Sequence, residues 1–219
     1  MNTRKLRPWN RLIPLALLGV IAGCGSLEKP YPQKDLFAIS VNETPAASTS
    51  KPMGVLKTGL VYVAPPYDGT MFVYKVGPSK FTTDYYSGFI SPPDRMLGGS
   101  LNAWLDKSGL FTSVIPGQSG ADFKWVLESN VTALYGDYSA QVPSAVIEMK
   151  FFLVDESGGD YHIRFQKAYR ETELIDAAAP DKLVDGWNKA YHQILVDLVS
   201  DLSQFQDESA ASSVSSIAR

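Results

Sequence analysis

Three successive stretches of the chain, residues 123–135, 145–154 and 161–170, alternate between apolar and polar side chains. Alternation of this kind places every second side chain on one face of a β-strand. Because only short segments join the three stretches, we predict an antiparallel meander with one buried and one wetter face. The positions predicted to face the core are Phe123, Trp125, Leu127, Val131, Tyr135, Ala145, Ile147, Met149, Phe151, Leu153, Tyr161, Ile163, Phe165 and Tyr169.

A long amphipathic helix is predicted after the meander, over residues 181–205. Its apolar side chains recur at helical spacing and form one stripe, with charged and amide side chains opposite. We predict that this stripe packs on the sheet, the alternative being a helix that binds a partner. The segment 206–219 has little to bury, and we expect it to be disordered. The stripe consists of Leu183, Val184, Trp187, Tyr191, Ile194, Leu195, Leu198, Val199 and Leu202.

The first half of the chain contains further strand and helix signals. A strand is predicted at 36–41, and the β-rich runs 56–64 and 71–76 are predicted to pair as a hairpin that the run 80–85 extends. Ser91-Pro-Pro-Asp94 opens a predicted helix that ends near Ser108, and 110–115 returns to strand. The fold class is therefore α/β: a sandwich of a mixed, largely antiparallel sheet and at least two packed helices, over a domain at 36–205.

The amino terminus carries the layout of a secretory signal. A basic start precedes an apolar run at 12–22, and Cys24, the only cysteine of the chain, follows Ile-Ala-Gly. This pattern resembles the lipobox of bacterial lipoproteins, which implies a signal peptide at 1–23 and acylation of Cys24 with fatty chains such as palmitate. The alternative is a free thiol in an ordinary signal peptide. Residues 24–35 would form a tether, and Gly25 and Ser26 after the cysteine imply, by the same resemblance, sorting to the outer membrane.

The net charge of the chain limits the classes of partner that it could bind. Removing residues 1–23 takes away four basic residues and no acidic ones, so the formal net charge moves from -3 to -7, with 16 Lys and Arg against 23 Asp and Glu. An acidic chain is a poor partner for nucleic acid, because that binding depends on neutralising phosphates. Contact with a membrane is therefore expected through lipidated Cys24.

Candidate catalytic groups are few. His162 and His192 belong to no pair with metal-ligand spacing, and no glycine-rich loop opens a helix after a strand. We therefore expect no enzyme activity, no cofactor and no metal site. The competing hypothesis, a hydrolase, needs an unrecognised carboxylate pair.

One aromatic segment is a candidate contact surface. Tyr85, Tyr86, Phe89 and Ile90 lie between a predicted strand and a predicted helix, where we expect an exposed loop. Aromatic side chains are enriched at protein interfaces. We therefore predict a protein contact at these four residues, the alternative being a loop folded over the core.

The order of these parts carries a family resemblance. The matching pieces are Cys24, the strand at 36–41, the runs 59–67 and 71–75, the strand at 80–85, the helix end at 101–111 and the final amphipathic helix. With these pieces, the chain resembles the ABC-type transport auxiliary lipoproteins, the PqiC/YmbA-like family. It departs from that pattern at Lys75, where arginine is usual, and at Phe89, near which a tryptophan is often found.

The resemblance implies an outer-membrane lipoprotein that faces the periplasm and has an α/β sandwich related to the N-terminal domain of TolB-like proteins. It implies a docking or assembly subunit for intermembrane lipid transport, with an MCE-domain protein and inner-membrane transporter components as partners. The chain could also form a homo-oligomer. The alternative function is a lipoprotein regulator of cell-wall synthesis, which the short tether disfavours, since Gly25–Asp35 reaches only about 35 Å when fully extended.

Overall fold

The computed structural model describes residues 33–158 and 161–217, with side chains described as far as 209. The predicted signal peptide, Cys24 and most of the tether lie outside the described residues. The strands are β1 (Asp35–Phe37), β2 (Val55–Val63), β3 (Met71–Gly77), β4 (Lys80–Phe89), β5 (Ser113–Pro116), β6 (Trp125–Asp137), β7 (Ser144–Asp155) and β8 (His162–Leu174), and the helices are α1 (Pro93–Ser108) and α2 (Pro180–Ile217).

Strand β6 is the centre of one eight-stranded mixed sheet, and the predicted α/β architecture is confirmed. Antiparallel β7 and β8 follow on one side of β6, as the meander prediction required. The other side of β6 holds two strands in tandem: β2 pairs with its first half and β3 with its end, both parallel to it. Strand β5 flanks β2, β4 flanks β3, and β1 lies outside β4.

The predicted hairpin between residues 56–64 and 71–76 is wrong. The two runs form β2 and β3, but they do not pair with each other, because each pairs with β6. Val63 lies opposite Val131, and Tyr74 lies opposite Gly136 farther along β6. Since β6 has 13 residues, it accommodates both strands one after the other. The hairpin in this region is formed instead by β3 and β4.

Both helices pack on the same face of the sheet. The predicted stripe of α2 is buried except for the half-buried Val199. Trp187 donates its indole N–H to the Val146 carbonyl at 3.2 Å, and the Tyr191 hydroxyl donates to the Leu97 carbonyl of α1 at 2.6 Å. The stripe therefore joins the sheet and the other helix, which is the core interpretation rather than the partner-binding one.

Gly186 allows α2 to approach β7 closely. A Cβ atom at this position would lie 2.7 Å from the Ala145 Cβ and 2.9 Å from the Ile175 Cγ2. Glycine usually weakens a helix, so this position exchanges helix propensity for close contact with the sheet.

Two β-bulges change the face of predicted core residues. In β6 the register shifts between Val131 and Ala133, so Tyr135 turns to the face without helices, where it is buried beside Val73 and Val146. In β8 an extra residue lies between Ile163 and Phe165. Ile163 is therefore exposed, as is Tyr161 just before the strand, and both expectations are corrected. A bulge shifts the alternation by one residue, so side chains on its two sides no longer follow one alternation and those beyond it change face.

The ends of several elements also differ from the predictions. Strand β1 has only three residues, although Ile39 beyond it is buried. Helix α1 ends as predicted, with Gly109 at φ 69°. Helix α2 continues to Ile217, where we had expected disorder from residue 206. Half-buried Phe205 packs its ring near Trp125 and Phe165, which supports the helix at this point, and the alanine and glutamate beyond it are compatible with a helix.

Candidate docking surfaces

The predicted aromatic contact segment is the end of a strand rather than a loop. Tyr85 and Tyr86 are each 54% exposed and Ile90 is 65% exposed, so these three candidate contact residues do lie at the surface. Phe89 is only 3% exposed, and its ring lies 4.7 Å from that of Phe72 and 5.4 Å from that of Trp187. The expectation that Phe89 is exposed is wrong, because it is on the core face of β4.

Asp84 explains how two consecutive tyrosines can both be exposed. The register between β3 and β4 shifts after this residue. The Asp84 carboxylate accepts the backbone N–H groups of Tyr86 and Ser87 at 2.8 and 3.1 Å, and the Tyr74 hydroxyl at 2.7 Å. These bonds hold a bulge, and the bulge directs both tyrosine rings away from the core, 5.2 Å apart.

The carboxylate of Asp84 makes the stability of the folded bulge depend on pH. Burial raises the pKa of Asp84, but the hydrogen bonds from Tyr74 and the backbone outweigh burial and leave the pKa below its ordinary value. Because the pKa of Asp84 is lower in the folded than in the unfolded chain, the charged carboxylate stabilises the folded state above about pH 3.9. That stability is lost as the pH falls through the folded-state pKa.

We therefore expect Asp84→Asn to lower the free energy of unfolding by about 1–2 kcal/mol at neutral pH, a hydrogen-bond value reduced because the carboxylate is partly exposed. The difference from the unmodified chain should shrink as the pH falls from about 4 through the lower folded-state pKa of Asp84, because the carboxylate then becomes protonated and uncharged like the amide. Urea unfolding at several pH values measures this, with exposed Asp106→Asn of α1 as the control. A difference that stays constant with pH would contradict the role given to the carboxylate.

Two further apolar side chains adjoin the exposed tyrosines. Leu36 of β1 and Met71 of β3 are both exposed, and both lie opposite Gly88 of β4 in register. We call the group formed by Leu36, Met71, Tyr85, Tyr86 and Ile90 the β4-end patch. Leu36 and Met71 were not predicted to belong to this surface, because the pairing of β1 with β4 and the bulge in β4 leave no local pattern in the sequence.

A second surface lies along β2. The short strand β5 pairs with β2 only from Val55 to Thr58, so within the described residues the outer edge of β2 from Gly59 to Val63 has no strand beside it. A register shift against β6 in this region leaves Leu60 79% exposed, and Tyr62 is 59% exposed. We call the free edge with these two side chains the β2-edge surface.

An open cleft of about 790 Å³ borders the β2-edge surface. Its walls include Leu60, Arg95 and Gly99 of α1, Phe123 and Tyr161. A smaller groove of about 380 Å³ continues along the edge, with the carboxylates of Asp68 and Asp94 in its wall. The region thus combines unpaired strand backbone, apolar side chains and room for a neighbouring chain.

A third hollow, of about 520 Å³, lies between residues 44–49 and α2. Trp104 is in its wall, and the indole N–H of this residue has no hydrogen-bond partner among the described residues. The ring of His192 lies 5.2 Å from that of Trp104, while His162 is exposed on β8. Among the described residues, no group of three or more His, Cys, Asp or Glu side chains could hold a metal ion, and no helix has the length and apolar character needed to cross a membrane.

Comparison with known proteins shows that the fold of this chain is similar to that of solved structures. No protein-family model matches the chain, and no curated protein matches it in sequence. A Xanthomonas campestris protein described with the family model DUF330 is 18% identical, with a TM-score of 0.68 over 80% of this chain and 99% of its own. An uncharacterised protein is 16% identical, with a TM-score of 0.60 over 78% of this chain and 99% of its own. At these identities the likeness shows that the chain shares their fold.

Proposed function

We propose that the protein is a non-enzymatic, lipid-anchored accessory subunit of an intermembrane lipid transport system. In this proposal it belongs to the ABC-type transport auxiliary lipoproteins, with acylated Cys24 in the outer membrane and the domain in the periplasm. Its partners are an MCE-domain protein and the inner-membrane transporter components. The signal layout around Cys24 and the family resemblance of the sequence support the anchor and the system.

The observation that carries the docking role is the β2-edge surface. A free strand edge offers backbone N–H and C=O groups to another chain. Leu60 and Tyr62 on this edge expose apolar area that an isolated domain gains nothing by showing. A strand added beside Gly59–Val63 would gain main-chain hydrogen bonds from the edge and specificity from the bordering cleft, as in other cases of strand addition.

Purification from membranes tests this function. After mild crosslinking, the lipidated chain should be recovered together with an MCE-domain protein. The double variant Leu60→Ser, Tyr62→Ser should lose most of that partner while keeping its melting temperature, because both side chains are exposed. The double variant Val142→Ser, Leu174→Ser is a matched control, since these apolar side chains are also exposed.

Two outcomes would contradict the proposal. One is recovery of the chain without any MCE-domain protein, and the other is equal partner loss in both double variants. Recovery with an enzyme of cell-wall synthesis instead would support the alternative function.

A further inference from the structure

The β4-end patch lies where the tether enters the domain. Strand β1 begins at Asp35, only two residues after the described chain starts, and it pairs with Ser87, Gly88 and Phe89 of β4. The ammonium group of Lys34 lies 4.7 Å from the centre of the Tyr85 ring. Lys34, the residue of the predicted tether just before β1, therefore touches the patch itself.

The tether is also short. Ten residues, Gly25 to Lys34, separate Cys24 from β1, and such a segment spans at most about 35 Å when fully extended. With Cys24 acylated in a bilayer, the region around Lys34 has to stay within that distance of the lipid surface. Lys34 contacts the β4-end patch through Tyr85, so this patch is the apolar surface that the short tether holds nearest to the bilayer.

We infer that the β4-end patch rests on the lipid surface that holds the anchor, an inference that depends on the proposed acylation of Cys24. Tyrosine rings favour the membrane–water interface, where the ring meets apolar chains and the hydroxyl stays wet. Leu36, Met71 and Ile90 supply aliphatic area beside the rings, and Lys34 supplies a cation that can reach lipid phosphates.

The backbone beneath the patch suits such a position. Strand β4 pairs with β1 on one side and with β3 on the other, and the Ile90 N–H donates to the Phe37 carbonyl at 2.8 Å. The bulge N–H groups of Tyr86 and Ser87 are bonded to Asp84. The side chains can therefore meet lipid while these backbone groups keep their partners.

Fluorescent labelling of the lipidated, mature chain tests the inference. Because Cys24 is the only cysteine and its sulfur would be acylated, Tyr86→Cys introduces one free thiol for an environment-sensitive dye. The chain is incorporated into vesicles of phosphatidylethanolamine and phosphatidylglycerol that contain nitroxide-labelled lipid. Tyr62→Cys is the matched control, since Tyr62 and Tyr86 are similarly exposed tyrosines on different surfaces.

We expect nitroxide lipid to quench the dye at position 86 several-fold more strongly than the dye at position 62, and iodide in water to do the reverse. Ile90→Cys is a second labelling site with the same expectation, in case Tyr86→Cys disturbs the bulge. If the chain floats with the vesicles but the two positions are quenched equally, the inference is overturned while the anchor stands. If the chain does not float, the anchor fails and the inference fails with it. Shielding of position 86 only after a partner protein is added would also overturn it.

Discussion

Trp187→Asp should unfold the domain. The Trp187 side chain is fully buried against the rings of Phe72 and Phe89, and its indole N–H donates to the Val146 carbonyl. Truncating a buried tryptophan costs about 3–5 kcal/mol, and an unpaired buried carboxylate adds several more. The total is comparable with the whole stability of a domain, about 5–15 kcal/mol. Circular dichroism during heating should therefore show loss of the cooperative transition.

Leu195→Asp should have the same effect, because Leu195 is fully buried on the same stripe of α2. The neighbouring residue provides the control: Val196 is exposed on that helix, and Val196→Asp should change stability by less than about 1 kcal/mol. An unchanged melting temperature for Trp187→Asp or Leu195→Asp would show that the stripe does not hold the core together.

Cys24→Ser should abolish acylation of the chain. A serine offers no thiol for acylation, so the chain should take up no labelled fatty acid and should leave the membrane fraction or remain unprocessed. Any variant chain that is cleaved should leave the membrane almost completely, since the net charge of -7 expected after cleavage gives no electrostatic attraction to anionic lipid. Metabolic labelling followed by fractionation measures it, with Ser26→Ala as a control two residues away. Labelled fatty acid in the Cys24→Ser chain would contradict the proposed anchor.

Local sequence patterns were enough to predict the elements whose apolar side chains recur regularly over many residues. The α2 stripe was predicted almost residue by residue, because a 3.6-residue period repeated over many turns leaves little ambiguity. The meander of β6, β7 and β8 was predicted for the same reason, because apolar and polar side chains alternate along these strands with a period of two residues. Strand β2 is different: the prediction placed it beside β3, while the structure places both against β6, and pairing across such sequence distances leaves no local signal.

Several individual residues show where local sequence patterns fail to predict the direction of a side chain. Tyr135 and Ile163 alternate correctly with their neighbours in the sequence, yet a single-residue bulge before Tyr135 and another just after Ile163 place both on the face opposite to the expected one. Phe89 and Ile90 are adjacent and both apolar, but pairing with β1 and β3 directs only Phe89 into the core. The exposure of Leu60 and Tyr62 was not predicted, because it depends on the register shift against β6 and on where β5 ends.

A photo-reactive side chain in place of Tyr62 tests the docking role most directly. In cells that carry the full lipidated chain, irradiation should join position 62 to an MCE-domain protein, identified by mass spectrometry. The same photo-reactive group in place of exposed Val142 should not crosslink to an MCE-domain protein. If position 62 is joined only to a second copy of this chain, or to an enzyme of cell-wall synthesis, the proposed role in lipid transport is contradicted.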